Sequence, residues 1–451
     1  MLKASAVLEW LAILWLSASA GAFAFAQELP TNAEPQPSQE LKVTRNDQGL
    51  YELVAPRLTL ITDIPIDDEL KSWPNLIEQS LGQWSAYFGV DPKRMAQWRI
   101  TATLIGDRER LTALGALEDV PGFDEGYQYG DVIYLREQPT AYYRRHLFLH
   151  EATHWIVWKL YGGGGSPWFM EGMAELQGTH SLKNGVLRLG VIPASRDQVA
   201  KWGRLRRIDD TLKAGFAPSL SEILAYGNSR EDHETRYSWS WAACVFFTNH
   251  PKYGPILKEL YQQKMDYSNS LSNQFKQKLM PMWSDVQLDW NAFVSDLDFG
   301  YNLERSRVDR GGYSPTKKLV IGEMEKRQLD AGRGWQSTGV MVEPGKFYQV
   351  ACTGSYKLIG QSGTMRASWE SESQGITYQY YRGNPLGCVI AAVIPGDAAD
   401  QTQRWETIPV GAGAILKLET SGELFLKVNE PSNGLYDNEG AIEVAISIKN
   451  P

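Results

Sequence analysis

The chain has 451 residues, 43% of them hydrophobic, which is enough material for two or three separate cores rather than one. A net charge of −8, with no Lys/Arg-rich stripe, speaks against nucleic acid as a partner. The 16 Trp and 21 Tyr read as core filling, with a sugar-binding aromatic platform as the alternative.

Met1-Leu2-Lys3, an apolar run best between Trp10 and Leu16, and Ala24-Phe25-Ala26 before Gln27 follow the order of an export signal. Residues 1–26 are therefore expected to be a signal peptide, and Glu9 within the run leaves an uncleaved anchor open. No later segment reaches the ~18 apolar residues that a membrane span needs. The mature chain is expected to carry no stable transmembrane segment and to be exported, as a periplasmic, cell-surface or extracellular protein. Residues 27–42, with Pro30, Pro35 and Pro37 among polar residues, read as a flexible leader.

Order is expected from about Val43. Tyr51 to Asp63 alternates as strands do, Pro74 to Phe88 has helical periodicity, and Trp98 to Ile105 suits a strand with one buried face. Asp131 to Arg136 is a further short strand. Thr140 to Leu160 is the clearest helix, capped by Thr140 and stopped at Gly162. Gly162 to Gly165 form a permissive turn or a hinge. Trp168 to Gln177 is a second helix, and mostly helical sequence runs on to about Arg305. Residues 306–317, with Gly311-Gly312 and Pro315, read as a linker. Beyond them, short alternating runs such as Phe347 to Cys352 and Glu423 to Val428 are expected to build an antiparallel β-sandwich or barrel over 318–451.

The chemistry concentrates in His150-Glu151-Ala152-Thr153-His154, inside the clearest helix. Residues at i and i+4 share a helix face, so both imidazoles can reach one metal, while Glu151 beside them can take a proton from water. A catalytic zinc needs a third protein ligand and keeps one open position. Glu171, in Trp168-Phe169-Met170-Glu171-Gly172-Met173-Ala174-Glu175, supplies it if the second helix folds back across the first; the small Gly172 and Ala174 would let the two helices approach closely. Glu175, one turn on, can hold an imidazole N–H from behind. His146 reads as structural, and His180, His233 and His250 as structural or surface residues. Of the three Cys, Cys352 and Cys388 can pair, and Cys244 reads as a buried thiol.

HExxH followed by Trp-Phe-x-Glu-Gly-x-Ala-Glu resembles the gluzincin metallopeptidases, in particular the peptidase MA-like superfamily related to thermolysin and aminopeptidase N. The resemblance covers residues 43–305. It implies an α+β catalytic domain with an N-terminal mixed sheet, zinc helices and a helical C-terminal part, zinc as cofactor on His150, His154 and Glu171, and Glu151 as general base acting on a peptide or protein substrate. It also implies a strand that pairs with extended substrate, for which Trp98 to Ile105 or Asp131 to Arg136 is the candidate. Tyr237, on a later helix, is the implied oxyanion donor.

Gly383-Asn384-Pro385-Leu386-Gly387-Cys388-Val389-Ile390, Ser421 to Asn429 and Asp437-Asn438-Glu439-Gly440 resemble the PA-IL-like galactose-binding lectins over residues 318–451. That resemblance implies a jelly-roll-like sandwich. It also implies a possible calcium site, from the carbonyls of Tyr356 and Gly434 and the side chains of Glu430, Asp437 and Asn438, with glycans as possible partners. A sandwich without calcium stays open. Three functions follow: a secreted zinc peptidase with an accessory sandwich, a glycan-binding or adhesion protein with a degenerate peptidase domain, and a zinc hydrolase acting on something other than peptides.

Overall fold

The computed structural model describes residues 41–117, 120–228, 231–311, 317–362, 365–396 and 400–449; the expected signal peptide and nearly all of the leader lie outside the described residues. The chain is a mixed α+β protein. Its first three strands, β1 (Val43–Arg45), β2 (Tyr51–Val54) and β3 (Leu58–Thr62), lead into helices α1 (Asp68–Lys71) and α2 (Trp73–Phe88). Then follow β4 (Ile100–Ile105), α3 (Arg108–Ala113), β5 (Gly126–Tyr129) and β6 (Val132–Arg136). The six strands form one sheet in the order β1-β2-β3-β4-β6-β5, with β4 parallel to both β3 and β6 and with β5 antiparallel to β6.

Two expectations are corrected here. Ala102, Thr103, Leu104 and Ile105 are all buried, so β4 is covered on both faces, as a central parallel strand is. Because β4 and β6 each pair on both sides, neither has an edge to offer an extended substrate. The outer strands are β1 and, beyond β6, β5, whose Gly-Tyr-Gln-Tyr sequence is too short and unpatterned to announce itself.

The helices come next: α4 (Ala141–Tyr161), α5 (Pro167–Gly178), α6 (Arg204–Ala214), α7 (Leu220–Leu224), α8 (His233–Asn249), α9 (Tyr253–Tyr261), α10 (Ser270–Leu279) and α11 (Trp283–Asp296). A hairpin of β7 (His180–Lys183) and β8 (Val186–Leu189) interrupts the stretch expected to be helical. Thr140 Oγ1 accepts from the Tyr143 amide at 3.2 Å, and Gly162 ends α4 at φ 84°, so cap and stop fall where the sequence puts them. Tyr142, Leu147, Phe148, Ala152, Trp155 and Ile156 are buried all round α4, which makes it the central helix of the first core.

Residues 163–165 are packed, which removes the hinge reading. A side chain at Gly163 would strike the carbonyls of Met265 and Asp266, and the Gly165 amide donates to Asp266 O at 2.8 Å. Gly172 does permit a close helix approach, but to α8: a Cβ there would overlap the Ser240 carbonyl.

The remaining strands are β9 (Lys317–Lys318), β10 (Met324–Asp330), β11 (Gln336–Val342), β12 (Phe347–Thr353), β13 (Ser355–Ser362), β14 (Met365–Glu372), β15 (Ile376–Tyr381), β16 (Asn384–Leu386), β17 (Val389–Ile394), β18 (Ile408–Pro409), β19 (Gly413–Lys417), β20 (Gly422–Val428) and β21 (Ala441–Lys449). They form open sheets of order β10-β21-β12-β19 and β18-β17-β20-β11-β9, plus the two-stranded pairs β13-β14 and β15-β16. Val350, Ile442, Val444 and Ile446 of the first sheet and Val340, Val389, Leu424 and Leu426 of the second share one core. Inward residues alternate with outward ones along β12 and β21, the period-2 pattern of half-buried strands. All three cysteines are buried and free, so Cys352 and Cys388 are not paired.

The helical and strand regions meet over a third apolar cluster, in which Ala292 and Leu288 pack with Trp335, Ile390, Trp405 and Phe425. Within it, Lys427 Nζ lies 2.7 Å from Asp296 Oδ2, both side chains buried, and Arg382 Nη1 lies 3.1 Å from Asp296 Oδ1. The described part of the expected linker is no free tether. Asp309 N donates to Trp335 O at 2.9 Å, and Ser337 N donates to Asp309 O at 2.8 Å. Residues 312–316 of that segment lie outside the described residues. Among the described residues, no helix is long and apolar enough to cross a membrane.

Candidate metal centre

Helix geometry brings the first two side chains together. His150 and His154 sit one turn apart on α4, with their Nε2 atoms 3.2 Å apart. α5 lies against α4 and carries Glu171 to the same point, its Oε2 3.4 Å from His150 Nε2 and 3.6 Å from His154 Nε2. The three atoms form a nearly equilateral triangle. Ligands held 2.0–2.1 Å from a tetrahedral zinc stand roughly 3.3–3.4 Å apart, so the triangle has the size of one face of that coordination shell. Glu171 Oε2 is buried and makes no hydrogen bond among the described residues, although two ring nitrogens face it. An oxygen without a donor, between two imidazoles, fits a cation held among them. The His154 and Glu171 side chains keep 16% and 20% of their exposure against 7% for His150, so the triangle opens toward solvent on their side.

The residues around the triangle set its electrostatics. Burial opposes charge on Glu171, but the two imidazoles, His154 above all, overcome it and hold the carboxyl down at about 2. Burial likewise pulls the His150 imidazole down, and the Glu171 and Glu175 carboxylates that face its two ring nitrogens more than offset it, raising it to about 10. Glu171 therefore stays a carboxylate, the form that ligates a cation, whereas a divalent cation held here would displace a proton from His150.

Glu151 lies beside the triangle, fully buried, and burial raises its pKa above the usual carboxylate range against the pull of His154 and His150. Its carboxylate occupies the space where Gly126 of β5 lacks a side chain; a Cβ there would overlap it. An outer strand of the sheet thus runs directly past the candidate base. Tyr237 of α8 stacks obliquely near His150, ring centroids 6.0 Å apart. The charge of Glu171, then burial, raises its pKa, which keeps the phenol an O–H donor.

Behind the triangle, Glu175 Oε1 stands 3.3 Å from His150 Nδ1, and its Oε2 stands 3.4 Å from His146 Nε2. His146, expected to be structural, thus reaches the same carboxylate. Arg204, the first residue of α6, donates from Nε to Glu175 Oε2 at 2.9 Å and from Nη2 to Oε1 at 2.8 Å. Against the cost of burial, that guanidinium holds Glu175 well below the usual carboxylate range. His146, His150 and Glu175 are close enough to suggest a second metal cluster, but the Arg204 charge on both carboxylate oxygens opposes one. No spacing rule points to Arg204 from the sequence.

The residues expected to bind calcium are placed differently. Tyr356 is buried, with its hydroxyl donating to the Gly387 carbonyl. Glu430 is buried against Gly434, and the Asn438 amide nitrogen donates both to Glu430 Oε2 and, at 3.0 Å, to Ala331 O. A calcium site needs oxygens facing the ion, whereas here an N–H donor occupies one side of Glu430. Asp437 ends a short 3₁₀ turn, Ser432–Asp437, beside this pair.

No protein-family model and no curated protein matches the chain. Among solved structures, the PllA-like lectin that forms the N-terminal domain of EclA is 17% identical over 28% of this chain and 95% of that one, with a TM-score of 0.21. IMPa from Pseudomonas aeruginosa, solved in complex with an O-glycopeptide, is 13% identical over 57% of this chain and 25% of that one, with a TM-score of 0.16. PliG from Aeromonas hydrophila, a periplasmic inhibitor of g-type lysozyme, is 13% identical over 30% and 98%, with a TM-score of 0.17. All three likenesses are remote, and the site stands on its own geometry.

Proposed function

We propose that this chain is a zinc-dependent peptidase of gluzincin type, organised as a catalytic domain over residues 43–305 and a strand domain over 318–451. The observation that carries the reading is the triangle of His150 Nε2, His154 Nε2 and Glu171 Oε2, sized for zinc and open on one side, with a buried carboxylate beside it. Zinc held there would acidify water and polarise a carbonyl oxygen. Glu151 takes the proton of the attacking water and returns it to the leaving amine, a role served by a carboxylate whose pKa burial raises. Tyr237 donates its O–H to the oxygen that gains charge.

A peptide is favoured over other substrates by β5. Among the described residues β5 pairs with β6 alone, and it passes Glu151 at Gly126, so an extended peptide adding to its outer edge would run along the centre. The test is zinc content of the purified chain beside Glu171→Ala. About one zinc per chain is expected, with most of it lost in the variant. A parent chain that takes up no zinc after incubation with it would overturn the reading. A peptide-library screen, with Glu151→Gln as the inactive control, then separates peptidase from other hydrolase action.

A further inference from the structure

We propose that Arg204 is a positioning residue of the metal centre, acting through Glu175 to set the orientation and tautomer of His150. The proposal rests on the reading of His150, His154 and Glu171 as metal ligands, and adds α6 to the elements that build the site.

The geometry is specific. Arg204 directs two parallel donors, 2.9 and 2.8 Å long, at the two oxygens of one carboxylate, the fork that guanidinium forms and ammonium cannot. Each Glu175 oxygen then serves one arginine donor and one imidazole: Oε1 with His150 Nδ1, Oε2 with His146 Nε2. The two Arg204 donors fix the plane of this buried carboxylate, with the two imidazoles 3.3 and 3.4 Å from its oxygens. A carboxylate accepts and does not donate, so His150 turns its Nδ1–H toward Glu175, and in the neutral ring that a metal requires the Nε2 lone pair then faces the triangle. Without Arg204, Glu175 would lose the guanidinium that holds both its oxygens and could shift away from His150 or draw in water.

Two further observations separate this role from that of a brace. Arg204 opens α6, where the backbone amides of the first turn disfavour a cation, no acidic residue offsets it, and the preceding Gly203 supplies no side-chain cap. Its position is therefore poor for the helix and is explained by what it holds. Its guanidinium carbon also lies 5.6 Å from the centroid of the Tyr237 ring, within the range of a cation–π contact. One buried cation thus touches the support of a ligand on α5 and the proposed oxyanion donor on α8.

The experiment measures zinc affinity by competition with a chelator and records the absorption spectrum of the cobalt-substituted chain. The parent is compared with Arg204→Met, Arg204→Lys, Glu175→Gln and the Arg204→Met/Glu175→Gln pair. Arg204→Met and Glu175→Gln should each weaken zinc binding roughly 10–100-fold and change the cobalt spectrum. Arg204→Lys, which keeps the charge but not the fork, should fall between them and the parent. The double variant should lose no more than the worse single one, because both changes break the same chain of contacts. Arg204→Lys carries the test if Arg204→Met does not fold, as circular dichroism will show. Parent-like affinity and spectrum in folded Arg204 variants, or losses that multiply in the double variant, would overturn the proposal while leaving the metal centre intact. A parent that binds no zinc would overturn both.

Discussion

The helical and strand regions differ in what their buried polar groups do. In the helical region, side chains from α4, α5, α6 and α8 converge on a single point, with His150, His154 and Glu171 in front and Glu175, His146 and Arg204 behind. In the strand region some buried polar groups close on each other or on the backbone, as Glu430 does on Asn438 and Tyr356 on Gly387, and others reach across to the helical region, as Lys427 does to Asp296. Backbone geometry explains the contrast. A helix stacks residues one turn apart on one face, so a few helices can crowd six polar side chains around one spot. A strand sends alternate residues to opposite faces, and in a two-sheet core the inward set must be apolar, which confines polar groups to loops and edges. The helical region thus gathers its buried charges at one place, whereas the strand region distributes them among loops and edges.

The sharpest way to break that comparison is Glu151→Gln. If the helical region is catalytic, peptide turnover should fall by about 10²–10⁴ while zinc content stays at the parent level. Unchanged turnover would remove Glu151 from the chemistry. The same substitution in the strand region, Glu430→Gln, should leave turnover as it was.

Next in size is the contact between the regions. Lys427→Met removes a buried partner of Asp296. It should cost about 3 kcal/mol in urea unfolding, at the low end for a broken buried pair because Arg382 still holds Asp296. A loss under about 1 kcal/mol would mean that the pair contributes little and that the apolar cluster alone joins the regions.

A smaller effect concerns His180, behind the centre. Its Nδ1 donates to Gly178 O at 2.8 Å, and its Nε2 accepts from Arg145 Nε at 3.3 Å, so the folded chain holds the neutral ring. Burial, then the neighbouring His146 and Arg145 charges, outweigh the Gly178 bond and push its pKa down to about 3. The unfolded chain takes up a proton below the ordinary histidine pKa and the folded chain does not. Stability is therefore complete above pH ~6.5 and lost as pH falls toward the folded value. Between pH 7 and 5 the loss is about 2 kcal/mol. Denaturant melts across that range should show it, and His180→Gln should flatten the slope. The smallest effect expected is that of calcium. Millimolar calcium should leave the melting temperature unchanged, and a clear rise would show that the Glu430 loop rearranges to bind it.

Much of the fold was legible because local rules act over short stretches. The ends of α4 follow from the Thr140 hydroxyl and the Gly162 backbone. The strands of the second half follow from alternation between turn residues. What misled was any feature whose meaning depends on a distant neighbour. β4 alternates as if half-exposed, yet sits covered on both faces between β3 and β6. Gly172 looked like clearance for α4 and serves α8. Cys352 and Cys388 had the context of a pair and are free thiols.

For the candidate centre the same division holds. By itself, the sequence determined that His150 and His154 share a helix face and that Glu151 lies beside them, because 3.6 residues per turn leave no other arrangement. It also determined that Glu171 and Glu175 lie one turn apart on the following helix. The tertiary structure alone decided that α5 brings Glu171 within 3.4 and 3.6 Å of the two imidazoles, that β5 is the strand running past Glu151, and that Arg204 reaches Glu175 from another helix. Those distances arise from packing among elements far apart in the chain, and no spacing along the sequence encodes them.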